Sequence, residues 1–238
     1  MSSPITIVHL YAKEMNIYGD NGNILVLQKR LEWRGFTVEV VRVGVGDSFP
    51  KNVHIVMGGG GQDAGQQAIA DDLKMKQTQL QKFADNGVPM LMICGMYQMF
   101  GKAFITADNT NIAGIGILDV TTKAESGRLV GNVCSQSDYG QLIGYENHSG
   151  RTSLGVHSKA LGTVPTGQGN DGVDGTEGVR LNNVFGSYLH GPVLSKSPQF
   201  ADYLLRLALD VAGDVRELEP IDDALELRAA KVAVSRPR

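Results

Sequence analysis

Cysteine is scarce: the 238 residues contain only Cys94 and Cys134. Two cysteines give no disulfide framework, and no Cys/His cluster has zinc-ligand spacing, so no metal is expected on this chain. Charge of one sign is also lacking. A formal net charge of -3 provides no broad basic surface, which argues against nucleic acid as a partner. No apolar run approaches the roughly 18 residues needed to span a bilayer, so no transmembrane segment is expected. The start lacks a basic n-region, and Ile5-Thr6-Ile7-Val8-His9-Leu10-Tyr11 is short and β-branched, unlike a secretory signal. A cytoplasmic, reduced setting is the expectation. Gly-Lys-Ser/Thr is missing after the glycine run Gly58–Gly61, which removes a Walker phosphate loop.

What is present suits an α/β protein. Hydrophobic residues make up 42%, enough for a full core, and 30 glycines fall largely in turn-like clusters. The pattern predicts strands at Ile5–Tyr11, Thr37–Val43, Val53–Met57 and Met90–Ile93. Helices are expected at Ile24–Arg34 and between Gln62 and Asn86, the second as one long or two short helices. This alternation implies a parallel, doubly wound sheet. After about Ala103 the pattern changes. Ile115–Lys123, Arg128–Gln136, Leu142–His148, Leu154–Val156 and Val179–Phe185 read as short strands that extend the sheet or form an antiparallel layer. Gly167–Gly178 is expected to be a mobile surface loop. Ser197–Ala212 reads as a helix. The chain is expected to divide into a domain over residues 1–212 and a C-terminal appendage over 213–238, with a short helix around Ala224–Lys231.

Cys94 is the centre of the chemistry. The apolar run Met90-Leu91-Met92-Ile93 ends at it, and Gly95 with the start of a helix follows. A nucleophile at such a strand-to-helix turn is exposed at the carboxyl end of a sheet, beside the N–H of the next residue. A thiolate needs a base, most often His. His9 and His54 lie within apolar strands and read as structural. His190 ends Val184-Phe185-Gly186-Ser187-Tyr188-Leu189-His190, at the carboxyl end of another strand, where open α/β sheets gather their sites. The N–H groups of the glycine run could complete an oxyanion hole with Gly95. Arg128 could hold an α-carboxylate through a bidentate pair, or be a solvated surface residue. Cys134 lacks an elbow and reads as a small core residue.

Three segments together resemble a class I glutamine amidotransferase domain of the cobyric acid synthase-like branch. They are Cys94-Gly95-Met96-Tyr97-Gln98, Gly144-Tyr145-Glu146-Asn147-His148-Ser149-Gly150-Arg151-Thr152, and Gly186-Ser187-Tyr188-Leu189-His190-Gly191. The resemblance implies a flavodoxin-like fold with a mostly parallel sheet and added antiparallel strands. It implies Cys94 as nucleophile, forming a thioester with L-glutamine, and His190 as acid and base. Gly95 with Gly59 or Gly60 would hold the oxyanion, Arg128 the α-carboxylate, and Gln98 would help position substrate. Tyr18-Gly19-Asp20-Asn21-Gly22-Asn23 and Arg128 fit the branch that amidates the D-glutamate of peptidoglycan precursors. That fit implies a heterodimer with a MurT-like, Mur-ligase-related subunit carrying ATP and Mg, which would act on lipid II. Few residues precede the first strand, consistent with a synthetase on a separate chain. A corrinoid acceptor, a different cysteine hydrolase on the same sheet, and a non-catalytic scaffold are the alternatives.

Many class I domains place a Glu two residues beyond the histidine, where this chain has Pro192. The expectation is therefore that a partner subunit supplies the orienting carboxylate. Glu146 is the alternative within the chain.

Overall fold

The computed structural model describes residues 3–236. The first half alternates as the sequence predicts: β1 (Ile5–Leu10), α1 (Gly22–Glu32), β2 (Val38–Val43), β3 (Ile55–Gly58), α2 (Asp63–Asp85), β4 (Met90–Ile93) and α3 (Gly95–Phe100). Then follow β5 (Ala103–Ile105), β6 (Asn111–Ala113), β7 (Val120–Ser137), β8 (Gly140–Leu154), β9 (Gly162–Thr166), β10 (Thr176–Glu177), β11 (Val179–Leu181) and β12 (Val184–Ser187). A 3-10 turn at Val193–Lys196 leads into α4 (Pro198–Ala212), and α5 (Ala224–Val234) ends the described chain.

Two sheets form. The first has the order β11-β12-β4-β3-β1-β2, parallel except for the antiparallel β11 edge. Every residue of β1, β3, β4 and β12 is buried, as expected for strands covered on both faces. Helix α2 is a single element. Its buried Gln66, Ile69, Leu73, Lys76, Leu80 and Ala84 recur at three- and four-residue steps, one stripe along the helix. Helix α4 opens with Pro198 at its first turn and buries Phe200, Leu204, Leu205, Ala208 and Leu209. Each buried Leu, Ile or Phe among them contributes about 1.5–3 kcal/mol relative to exposure.

The second sheet has the order β10-β9-β7-β5-β6, with β8 paired to β7. The predicted short strands merge into a long β7–β8 hairpin. The segment Val179–Phe185 is instead a tight hairpin, β11 and β12, turning at Asn182, whose φ is 54°. The Gly167–Gly178 loop is pinned rather than loose. Asn170 is fully buried, and its side chain donates to the Thr176 hydroxyl and the Gly178 carbonyl.

The C-terminal segment is tied to the body by Arg30. Its buried guanidinium meets Asp202 at 2.7 Å and Asp223 at 2.5 Å, joining α1, α4 and the approach to α5. Beyond that tie, α5 buries only Ala230. Among the described residues, no helix is long and apolar enough to cross a membrane.

Candidate active site

The parallel sheet brings the ends of β4, β3 and β12 side by side, and each delivers part of the site. At the end of β4 the backbone of Cys94 is strained, with φ 50° and ψ -104°. A non-glycine residue adopts that conformation only where its surroundings enforce it. Here the Cys94 N–H donates to the Ser187 carbonyl of β12 at 2.8 Å, while α3 begins at the next residue. Gly95 permits the close packing behind the elbow. A Cβ there would stand 2.7 Å from Met15 Cε and 2.9 Å from Gly61 N.

His190 follows β12 and is held by backbone hydrogen bonds in both directions with Tyr145 of β8. Its imidazole is 1% exposed. Nδ1 lies 3.0 Å from Asp20 Oδ1 and 3.1 Å from Oδ2. With Nδ1 occupied by a carboxylate, Nε2 is left buried without a hydrogen-bond partner among the described residues, free to serve the Cys94 thiol, which is close enough to act on the imidazole's pKa. Burial pulls the imidazole pKa down. The hydrogen bond to Asp20 and the negative charge of Asp20 and Cys94 outweigh burial and raise it to about 10. The pair is therefore built to keep a proton on the imidazole when the sulfur gives it up.

Asp20 corrects the expectation of a partner-supplied carboxylate. It lies in the turn before α1, is 4% exposed, and its Oδ2 also accepts the Gly60 N–H at 2.7 Å. Glu146 is not the orienting group. It is fully buried, and its oxygens accept the N–H groups of Gln168 and Gly169 at 3.0 and 2.9 Å, which fastens the 167–178 loop to β8. In the sequence Asp20 reads as a turn and cap residue. Only the fold brings it to a histidine 170 positions away.

The glycine run is also reassigned in part. Gly60 cannot serve an oxyanion while its N–H is given to Asp20, and a Cβ there would sit 2.7 Å from His190 Cε1. Gly59 does not reach the cleft wall, whereas Gly61 does and adjoins Gly95. Gly95, next to Cys94 in the chain, and Gly61, on the wall of the cleft, are therefore the candidate backbone donors.

In front of Cys94 lies a cleft of about 440 Å³ whose wall includes Gly61, Gln66, Gln98, Arg128, Asn147 and His148. Arg128 reaches it because β7 bulges: Ala124 pairs with Gly150 and Leu129 with His148, so residues 125–128 face Ser149 alone. Its Nε donates to Asn147 Oδ1 and its Nη2 to the Asn147 carbonyl, both at 2.6 Å. No carboxylate among the described residues neutralises it. Gln98 is buried, accepting from Gln66 at 2.8 Å and donating to the Tyr188 hydroxyl at 3.2 Å. His148 stacks on Tyr188 at 3.6 Å and turns Nδ1 to the Gly150 carbonyl at 2.8 Å.

The other histidines and the second cysteine lie apart from this cleft. His9 is buried, and burial with Arg42 nearby lowers its pKa to about 4. His54 Nδ1 accepts the Thr6 N–H at 2.8 Å. Burial raises the Cys134 thiol pKa, and its neighbours Ile143 and Ala230 are apolar. Among the described residues there is no cluster of His, Cys, Asp and Glu that could hold a metal.

An elbow thiol beside a carboxylate-held imidazole, on a parallel sheet extended by an antiparallel layer, defines the class I glutamine amidotransferases. The chain belongs to the CobB/CobQ-like glutamine amidotransferase family, whose domain matches residues 6–198. It is similar to the lipid II isoglutaminyl synthase (glutamine-hydrolyzing) subunit GatD of Staphylococcus aureus strain N315. The two are 38% identical over 234 residues, covering 98% of this chain and 96% of the relative. The same-named subunit of Streptococcus pneumoniae strain ATCC BAA-255 / R6 is 40% identical over 209 residues, covering 86% of this chain and 80% of that one. In fold, a glutamine amidotransferase crystal structure superposes with a TM-score of 0.60 at 16% identity, covering 84% of this chain and 98% of that chain.

Proposed function

We propose that this chain is the glutaminase subunit of a lipid II amidating enzyme. It would hydrolyse L-glutamine and hand ammonia to a Mur-ligase-like partner that amidates the D-glutamate of the stem peptide. The observation that carries the glutaminase reading is an uncompensated Arg128 in the same cleft as Cys94. It offers a free amino acid's α-carboxylate a cation at one end and its side-chain amide a nucleophile at the other.

The residues perform the reaction in two halves. The Cys94 thiol gives its proton to His190 Nε2, and sulfur attacks the glutamine side-chain carbonyl carbon. Negative charge on the carbonyl oxygen is met by the N–H groups of Gly95 and Gly61. As the C–N bond breaks, His190 returns the proton to nitrogen and ammonia leaves, with a γ-glutamyl thioester on Cys94. Water then attacks the thioester while His190 accepts its proton. The C–S bond breaks, sulfur recovers a proton from His190, and glutamate departs. Asp20 keeps the imidazole in the required tautomer and offsets its positive charge.

The relatives are named as subunits, which supports a partner for this chain; the partner would supply ATP and Mg to activate the acceptor carboxyl. We assign the reaction to the cytoplasm, where ATP is available. The test is glutamate release from glutamine, and amide formation on lipid II, by this chain combined with its Mur-ligase-like partner. Both products support the reading. Glutamate without lipid II amidation would move the acceptor elsewhere, with a corrinoid the first to try. No glutamate would overturn the reading.

A further inference from the structure

Two side chains, Asn147 and Tyr18, join the cation of the cleft, Arg128, to the His190 imidazole. Arg128 donates twice to Asn147, as described above. Asn147 Nδ2 in turn donates to the Tyr18 hydroxyl at 2.7 Å. The Tyr18 ring lies 4.7 Å from the His190 ring, centroid to centroid, tilted by 59°. Tyr18, Arg128 and Asn147 all line the cleft that contains Cys94.

Packing alone does not account for this arrangement. Tyr18 has φ 54°, a left-handed conformation that a bulky side chain rarely adopts, and the residue stays 48% exposed. Fully buried Tyr11 shares the positive φ, at 51°, so the exposure is what sets Tyr18 apart from a core residue. The contacts on Arg128 are also selective. Asn147 takes Nε and one hydrogen of Nη2, which leaves Nη1 and the other Nη2 hydrogen as a fork of the kind that grips a carboxylate end-on. Asparagine orients the guanidinium without cancelling its charge. An aspartate at 147 would orient it equally well and compete with the substrate for it.

We propose that Asn147 and Tyr18 are positioning residues that couple recognition of the glutamine α-carboxylate to shielding of His190. Asn147 presents the Arg128 fork, and the same asparagine holds Tyr18 as a roof over the imidazole. A substrate that engages Arg128 thereby steadies the roof above the group that protonates departing ammonia. Glutamine with a free α-carboxylate is favoured both in binding and in turnover. This inference rests on the glutaminase reading.

The experiment measures ammonia release by the chain with its partner, from L-glutamine and from its α-methyl ester, which lacks the carboxylate charge. The variants are Tyr18→Phe, Tyr18→Ala and Asn147→Asp. Tyr18→Phe keeps the ring and loses the hydrogen bond, so KM for glutamine rises about 3- to 10-fold while kcat holds. Tyr18→Ala also removes the roof, so kcat falls further than in Tyr18→Phe. Asn147→Asp raises KM for glutamine more than about 10-fold. Its penalty disappears on the ester. Wild-type KM in Tyr18→Phe and Asn147→Asp overturns the inference, as does an equal penalty on glutamine and ester, which is the mark of a merely structural defect. Wild-type protein that releases no ammonia from glutamine overturns the glutaminase reading together with the inference.

Discussion

Asp20 and His190 stand 170 residues apart in the chain, yet Asp20 Oδ1 lies 3.0 Å from His190 Nδ1. The contact supplies the acid of the proposed Cys94–His190–Asp20 triad from within this chain, out of the turn before α1. Replacing Asp20 by Asn keeps the shape and reverses the tautomer preference. The expected loss in kcat for glutamine hydrolysis is roughly 10²- to 10⁴-fold, with unchanged circular dichroism. Steady-state glutamate release would measure it, and near wild-type turnover in Asp20→Asn would show that the contact is incidental.

The same pair sets a pH dependence. His190 is raised to about 10 despite its burial, through Asp20 and Cys94. Protonated imidazole is needed to expel ammonia, so activity should persist at alkaline pH and fall as His190 loses its proton near that value. Any residual activity of Asp20→Asn should lose its alkaline limb at lower pH. The linked stability has the same sign: it is fully present below the ordinary histidine pKa of 6.5 and is lost as pH rises through about 10. A kcat/KM profile that does not move in Asp20→Asn would contradict this.

Gly60 tests the spacing around the imidazole. A methyl group there would fall 2.7 Å from His190 Cε1 and 2.9 Å from Ile17 Cγ1. Gly60→Ala should therefore push the ring off the thiol and cost about 10²-fold in kcat, with KM changed far less. An equal effect on KM alone would locate the damage in substrate binding instead.

Arg128→Ala removes a charge-assisted fork. A loss of about 1.5–3 kcal/mol corresponds to a roughly 10- to 150-fold rise in KM for glutamine. Arg128→Lys should recover only part of it, because an ammonium keeps the charge but not the fork. Unchanged KM with reduced kcat would contradict the anchoring role.

Glu177 gives a prediction on stability. It is fully buried and accepts the Ser187 hydroxyl and the Tyr188 N–H at 3.0 and 2.8 Å. Burial, with Glu146 nearby, outweighs those bonds and raises its pKa from 4.5 to about 7. Across that window the native state holds more protons than the unfolded chain, so stability falls as pH rises from 4.5 to 7. The loss totals about 3 kcal/mol. Glu177→Gln keeps the accepting oxygen and cannot ionise. Urea unfolding between pH 5 and 8 should show a flatter dependence and a gain at pH 8. An unaltered slope would place the titration elsewhere.

Legibility in the sequence followed locality. Cys94 and His190 could be read because each ends an apolar strand at a glycine, a signal contained in about six residues. The β1 to β4 alternation was legible for the same reason. Asp20 was not, since nothing within its own segment points to a histidine near the other end of the chain. The role given to Gly60 missed because sequence shows which residues can approach a ligand, not which N–H another side chain has already taken. The β7–β8 hairpin was read as fragments because the bulge at residues 125–128, which presents Arg128 to the cleft, interrupts its alternation. The hairpin at Asn182 was hidden inside an apolar run whose turn needs one residue at positive φ.

The most direct test of the account is covalent labelling with a glutamine-like diazoketone, 6-diazo-5-oxo-L-norleucine, read by intact mass and peptide mapping. The triad predicts one adduct per chain, located on Cys94, blocked by excess L-glutamine and lost in Cys94→Ser. An adduct on Cys134, or labelling that glutamine does not prevent, would contradict a glutamine-hydrolysing site at Cys94.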